Sequence, residues 1–301
     1  MELSSANNIK GILEKFNAKP KKGLGQNFLI DKNILQKIIE TADIKPEDTI
    51  LEVGPGLGVL TQELAKKARH VIAVEKDETM VEILKENLKD YKNIEIIQGD
   101  ILEIDYLKLI ENCKFKIENY KVIANIPYYL TSPLIRKLLE AEFPPSDLVL
   151  MIQKEVAQRI CSKIPDMNLL AVSVQFYADP KIVFNVSKNS FWPIPKIDSA
   201  IIKITPHTTS DLSFPPDCAD REGEAQRSNQ FFKVVKAGFS QPRKQLGGNL
   251  SKILKIKKIE IDKILLKNNI TPNQRAETLT IKDWKNLTRE LKSREAIDKK
   301  E

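Results

Sequence analysis

Three glycines set inside five positions are the first residues of this chain that could do chemistry. Glu52-Val53-Gly54-Pro55-Gly56-Leu57-Gly58 holds three of only 11 glycines in 301 residues, where an apolar run gives way to a helical pattern. Glycine reaches positive φ and lets backbone approach a ligand, as a cofactor requires at the carboxyl end of a strand. The next apolar run ends in Glu75, placed to accept hydrogen bonds from both hydroxyls of a ribose. A third ends at Gln98-Gly99-Asp100, where a carboxylate can accept from an exocyclic adenine amine. Dinucleotides and S-adenosylmethionine both use such an arrangement. The spacing here is Gly-x-Gly-x-Gly rather than the dinucleotide Gly-x-Gly-x-x-Gly. Glu52 beside it suits a cationic sulfonium or amino group better than a pyrophosphate. A tight structural turn would explain the glycines alone; the ordered carboxylates point to an S-adenosylmethionine site.

A fourth strand pattern ends in Asn125-Ile126-Pro127-Tyr128. An exocyclic amine on a base is a poor nucleophile because its lone pair is delocalised into the ring. The Asn125 side-chain oxygen and the Ile126 carbonyl can accept its two N–H bonds and aim the lone pair at a sulfonium methyl. Tyr128 offers a face for the base, and stacking of this kind contributes ~1–3 kcal/mol. The rest is orientation and electrostatics, with no strong general base required. A strand-ending turn with a buried tyrosine is the plain alternative.

The elements that must carry these residues follow from periodicity. Residues 1–20 show only a short helix-like stretch. Lys21-Lys22-Gly23-Leu24-Gly25-Gln26-Asn27-Phe28-Leu29 is a basic, glycine-punctuated loop, and Asp31 can cap the helix after it. From residue 49 short apolar strands alternate with helices: strands at 49–53, 71–74, 94–97, 121–124, 148–152, 171–176 and 199–204, and helices at 57–68, 78–89, from Ser132-Pro133 and at 154–161. This alternation predicts an α/β domain over 1–205 with a mainly parallel sheet covered on both faces. Residues 206–228 are polar and read as a linker or insertion. The pattern over 229–301 is helical, and Thr280 with Asp283 is a capping-box signal for the last helix.

Charge divides the chain in the same place. Residues 1–205 carry 28 basic and 28 acidic residues, whereas 228–301 carry 18 against 8. A solvated lysine-rich surface would account for this, but clustered positive charge also draws a polyanion by counterion release. With 42% hydrophobic residues the chain can build a substantial core. No apolar run approaches the ~18 residues that span a bilayer, and the start lacks a signal-peptide pattern, so a soluble cytoplasmic protein is expected. Cys113, Cys161 and Cys218 are too few and too scattered for a disulfide scaffold or a zinc knuckle. Two histidines leave little room for a multi-histidine metal site, and no metal is expected.

The chain resembles the ribosomal RNA adenine N6-dimethyltransferase family over nearly its whole length. The matching segments are Gly25–Leu29, Glu52–Gly58, Asn125–Tyr128, Gln153–Arg159, Phe191-Trp-Pro-Ile-Pro-Lys-Ile-Asp-Ser-Ala200 and Arg275-Ala-Glu-Thr-Leu279. The resemblance implies a Rossmann-like S-adenosylmethionine-dependent methyltransferase core with a small C-terminal α-helical domain. It implies cofactor contacts at Asn27, Leu29, Gly54, Glu75, Asp100 and Asn125, and places the target base at Asn125, Ile126, Pro127, Tyr128 and Phe191. It implies dimethylation of two adjacent adenosines in 16S ribosomal RNA, and a monomer is expected. The basic loop at Lys21-Lys22 and the positive tail are expected to flank the RNA. Relatives acting on 23S RNA, and non-catalytic RNA-binding relatives, are the alternatives. The chain departs from the family's usual Tyr-Gly-x-Leu-Ser at 166–173. Pro242 and Gly247-Gly248 predict a shortened or kinked helix within 241–250.

Overall fold

Runs of Val, Ile and Leu between short amphipathic helices are buried most completely as strands covered on both faces. The computed structural model, which describes residues 5–105, 108, 119–207 and 221–297, builds nine strands from them. They are β1 (Phe28–Leu29), β2 (Thr49–Val53), β3 (His70–Glu75), β4 (Ile94–Gln98), β5 (Tyr120–Asn125), β6 (Asp147–Gln153), β7 (Ala178–Val186), β8 (Phe191–Trp192) and β9 (Ser199–Pro206). Seven form one sheet in the order β4-β3-β2-β5-β6-β9-β7. Strands β2 to β6 pair in parallel, while β9 runs antiparallel to both β6 and β7. The remaining two, β1 and β8, make a short antiparallel ribbon. Sequence order reverses between β2 and β5, so connections leave their carboxyl ends toward opposite faces and open a crevice there.

Two compact units result, Met1–Gln158 with Ala178–Pro206, and Arg159–Tyr177 with His207–Glu301. In the first, the helices are α1 (Ala6–Lys15), α2 (Lys32–Ala42), α3 (Val59–Ala65), α4 (Glu78–Asn87) and α5 (Thr131–Leu139), followed by α6 (Lys154–Ile160), whose last turn enters the second unit. Asp31 caps α2 as expected, its carboxylate accepting from the N–H groups of Asn33 and Ile34. The sheet strands are almost fully buried along β2 and β3.

The second unit holds α7 (Leu169–Gln175), α8 (Arg221–Gly238), α9 (Leu246–Leu254), α10 (Lys258–Lys267) and α11 (Ile281–Ile297). The structure departs from expectation at four points. Residues 171–176 are helix, not strand. Asn168 caps α7 by accepting from the N–H groups of Leu170 and Ala171, and Phe176 just beyond it stacks on Phe231, 4.2 Å between ring centroids. Capping and aromatic packing override the β-branched composition of the run. The strand lies instead at β7, which the alternation missed because Pro180 interrupts it; an edge position tolerates that proline. The boundary at 205/206 is therefore incomplete, since 159–177 packs with the C-terminal helices. Helix α8 starts at Arg221, inside the expected 206–228 linker; 208–220, with Cys218, lie outside the described residues, as does Cys113.

Helix α9 runs unbroken through Gly247 and Gly248, with Pro242 in the turn before it. Thr280 and Asp283 form the expected reciprocal cap of α11, at 2.9 and 3.1 Å. Among the described residues no helix is long and apolar enough to cross a membrane.

Candidate active site

The loops leaving β2, β3, β4 and β5 line one cavity in the first unit. Parallel pairing sets this up. Val53 is opposite Val74 and Glu75 opposite Gln98, so Gly54, Glu75, Gly99-Asp100 and Asn125 leave the sheet at one edge. Gly54 has φ +70°, and a Cβ there would meet Pro127 at 3.4 Å. That contact brings the glycine loop against the Asn-Ile-Pro-Tyr turn.

Three carboxylates face the cavity in three different states. Glu52 is 1% exposed and its Oε2 has no partner; burial, with Glu75 nearby, pushes its pKa up to about 8. Glu75 is also buried, which raises its pKa, but each oxygen accepts a backbone N–H: Oε2 from Gly56 at 3.1 Å and Oε1 from Asp77 at 2.9 Å. Asp100 is held below the ordinary carboxylate range by Lys76, whose Nζ donates to Oδ2 at 2.8 Å, and by the Leu102 N–H. Its loop is fastened by Lys137, whose Nζ donates to the carbonyls of Ile101, Leu102 and Ile104.

The target turn closes the cavity from β5. Asn125 Nδ2 donates to the Asn27 carbonyl at 3.4 Å, which commits the amide's donor end and leaves Oδ1 as an acceptor. Ile126 is buried, and Pro127 and Tyr128 are half-buried. The Tyr128 hydroxyl shares a 2.9 Å hydrogen bond with the fully buried Ser199 Oγ. Segment 24–29 covers the remaining side. Asn27 is half-buried, Leu29 is buried opposite Phe191 in the β1–β8 ribbon, and Phe28 lies so close over Gly56 that a Cβ there would reach its ring at 3.2 Å.

All ten residues expected from the sequence thus line one cavity. Two details differ from the simplest picture. Phe191 is only 2% exposed, so it forms an inner wall rather than an open stacking face. Lys21 does not stand free for RNA: its ammonium donates to Asp77 at 2.8 Å. Sequence reasoning also missed Lys76 and the half-exposed Tyr129, which line the cavity, and Asp77 and Ser199, which bond to Glu75 and Tyr128 in its wall. Asp77 carried a signal, an acidic residue before a helix, and Ser199 lay in the Phe191–Ala200 segment. Nothing marked Lys76.

The cavity fits S-adenosylmethionine on its own terms. A buried carboxyl at Glu52 with one oxygen unpartnered suits a cation, Glu75 retains acceptor capacity for ribose hydroxyls, and Asp100 suits an adenine amine. A doubly wound sheet with this pocket at its switch point is that of an S-adenosylmethionine-dependent methyltransferase. Comparison with known proteins is more specific. The family model described as ribosomal RNA adenine dimethylase matches residues 17–291, and the chain belongs to that family. It is 44% identical to the ribosomal RNA small subunit methyltransferase A of Dehalococcoides mccartyi (strain BAV1), covering 92% of this chain and 90% of that one. It is 38% identical to the protein of that name from Geobacillus kaustophilus, over 96% of this chain and 97% of the other. Among solved structures, a dimethyladenosine transferase from Plasmodium falciparum superposes with a TM-score of 0.70 at 27% identity, covering 88% of this chain and 98% of its own. The 23S rRNA methyltransferase ErmE gives 0.66 at 25% identity, covering 88% and 100%.

Proposed function

We propose that this protein transfers methyl groups in succession to N6 of each of two adjacent adenosines in 16S ribosomal RNA, during small-subunit biogenesis in the cytoplasm. The observation that carries this reading is the meeting of the Asn125–Tyr128 turn with Glu52, Glu75 and Asp100 on one cavity. When bound, S-adenosylmethionine supplies an electrophilic methyl on a sulfonium. Glu75 and Asp100 hold its ribose and adenine ends, Glu52 gives up its proton to solvent beside the cation and so balances its positive charge, and Asn27, Leu29 and Gly54 contribute at the covering segment and glycine loop.

The chain's own work on the base is orientation. Asn125 Oδ1 and the Ile126 carbonyl accept from the target amine and hold its lone pair in line. Pro127 keeps that turn rigid. Tyr128, fixed by Ser199, supplies a stacking face, and Phe191 backs the pocket from the core. The amine grows more acidic as it is alkylated, so orientation and fixed dipoles can lower the barrier without a strong base. Names of the relatives at 38–44% identity favour the small-subunit target over the 23S activity of ErmE. The test is to incubate the protein with labelled S-adenosylmethionine and unmethylated ribosomal subunits, then map the label. Two adjacent N6-dimethylated adenosines in 16S RNA are expected; label confined to 23S RNA would overturn the assignment.

A further inference from the structure

Asp77 is the most heavily used carboxylate near the cavity, and the reaction as described gives it no role. Its side chain is completely shielded from solvent, although it sits only two residues beyond Glu75. Oδ1 accepts from Lys21 Nζ at 2.8 Å and from the Thr79 N–H at 3.1 Å. Oδ2 accepts from Gln26 Nε2 at 2.8 Å, and the Asp77 N–H donates to Glu75 Oε1 at 2.9 Å. Gln26 turns back through its Oε1 to accept the Lys21 N–H at 2.8 Å. Burial raises the carboxyl's pKa, but the Lys21 and Gln26 hydrogen bonds outweigh it and keep the group ionised. A cap for α4 needs only the Thr79 contact. The other two come from the segment that covers the cavity.

That segment touches three other parts of the site. Asn27 meets Asn125, Phe28 lies over Gly56, and Leu29 pairs with Phe191. No regular element other than the two-residue β1 and one short turn at Lys22–Leu24 holds it. Residues 24–29 wall the cavity on this side, so a cofactor bound there is held in part by whatever fastens them. We propose that Asp77 is a positioning residue that latches residues 21–29 over the cofactor pocket through Lys21 and Gln26, while its N–H fixes Glu75. The proposal rests on the cofactor assignment above.

The test compares Asp77→Asn, Lys21→Met and the double variant in the full chain. Asparagine can still cap α4 but removes the charge that draws Lys21; Lys21 is 54% exposed and tolerates methionine. Hydrogen exchange without ligand should quicken at the amides of 24–29, by about tenfold in Asp77→Asn and about threefold in Lys21→Met, the scale of one charge-assisted contact, discounted for exposure. The amides of 79–81 should keep their protection in Lys21→Met. Release of S-adenosylhomocysteine should accelerate in the same proportions. KM for S-adenosylmethionine should rise with kcat within about twofold, since the reacting groups are untouched. The double variant should be no worse than Asp77→Asn, because both changes break one latch. Unchanged exchange at 24–29 in Lys21→Met, or additive effects in the double variant, would overturn the latch and leave Asp77 as a cap. If the parent protein fails to bind S-adenosylhomocysteine, the cofactor assignment falls instead, and exchange alone decides the latch.

Discussion

In the first unit the carboxylates that matter are buried and individually placed: Glu52, Glu75 and Asp77 are each less than a tenth exposed. In the second, among the described residues, the buried polar side chains are Asn249 and Thr288, and no buried side chain is charged. Its core is aromatic and aliphatic, with Trp284 and Phe231 fully enclosed, and Lys252, Lys255, Lys257 and Lys263 are exposed. One region uses a few charges at fixed positions, which suits aligning reacting atoms. The other spreads charge over its surface, which suits holding a polyanion of many phosphates. Chemistry and affinity should therefore be separable by mutation.

Asn125→Ala gives the largest expected effect and the sharpest separation. Removing the acceptor that aims the amine should lower the single-turnover methylation rate on the order of 10²-fold or more, with RNA retention on filters nearly unchanged. A near-normal rate would mean something else orients the amine. Glu75→Ala comes next: ribose hydroxyls lose an ionised acceptor, a contact of ~1.5–3 kcal/mol, so calorimetry should show cofactor affinity down by roughly ten- to a hundredfold while RNA affinity holds.

The opposite side of the comparison is tested by neutralising charge rather than by truncation. Deleting 228–301 would strip Phe231 from Phe176 and expose the core around α7. Replacing Lys252, Lys255, Lys257 and Lys263 together by glutamine leaves that core intact. RNA binding should weaken by about tenfold at moderate salt, and the slope of log affinity against log salt should flatten by up to about 3. Cofactor affinity should not move. An unchanged slope would show that this surface is solvated lysine and nothing more.

The smallest effect is one of stability and pH. Glu52 titrates near 8 in the folded chain against 4.5 ordinarily. Between those values the folded state holds a proton that the unfolded state has lost, so this site's contribution to stability falls as pH rises through that window. Glu52→Gln should match the parent near pH 4.5 and exceed it at pH 8 by on the order of 1 kcal/mol or more, read from urea unfolding of ligand-free protein. A parent as stable as the variant at pH 8 would place Glu52 in a better-solvated site than the cavity shows.

Most of the site is legible in the sequence because its residues end strands. Apolar runs of four or five residues mark where strands stop, and Gly54, Glu75, Asp100 and Asn125 each stand at or just beyond such a stop. What escaped notice came from the sequence-distant side of each contact. Lys21 looked like a basic residue for RNA, and only the fold brings it to Asp77, 56 residues away. Ser199 looked like part of a loop motif until β9 carried it to the Tyr128 hydroxyl, 71 residues away.

The secondary structure at 171–176 was misjudged for a related reason. Ala171-Val172-Ser173-Val174-Gln175-Phe176 has the composition of a strand, and local propensity differs between helix and strand by only tenths of a kcal/mol per residue. The Asn168 cap and the Phe231 ring settle the matter with larger energies, and Phe231 lies far along the chain. By itself, then, the sequence determined the alternating α/β core, the glycine loop, the ordered carboxylates and the basic helical tail, since each is written in neighbouring residues. The tertiary structure alone decided that 159–177 belongs with the C-terminal helices, that Phe191 is a wall, and that residues 21–29 are fastened over the pocket. These depend on contacts between residues far apart in the chain, whose energies no local pattern records.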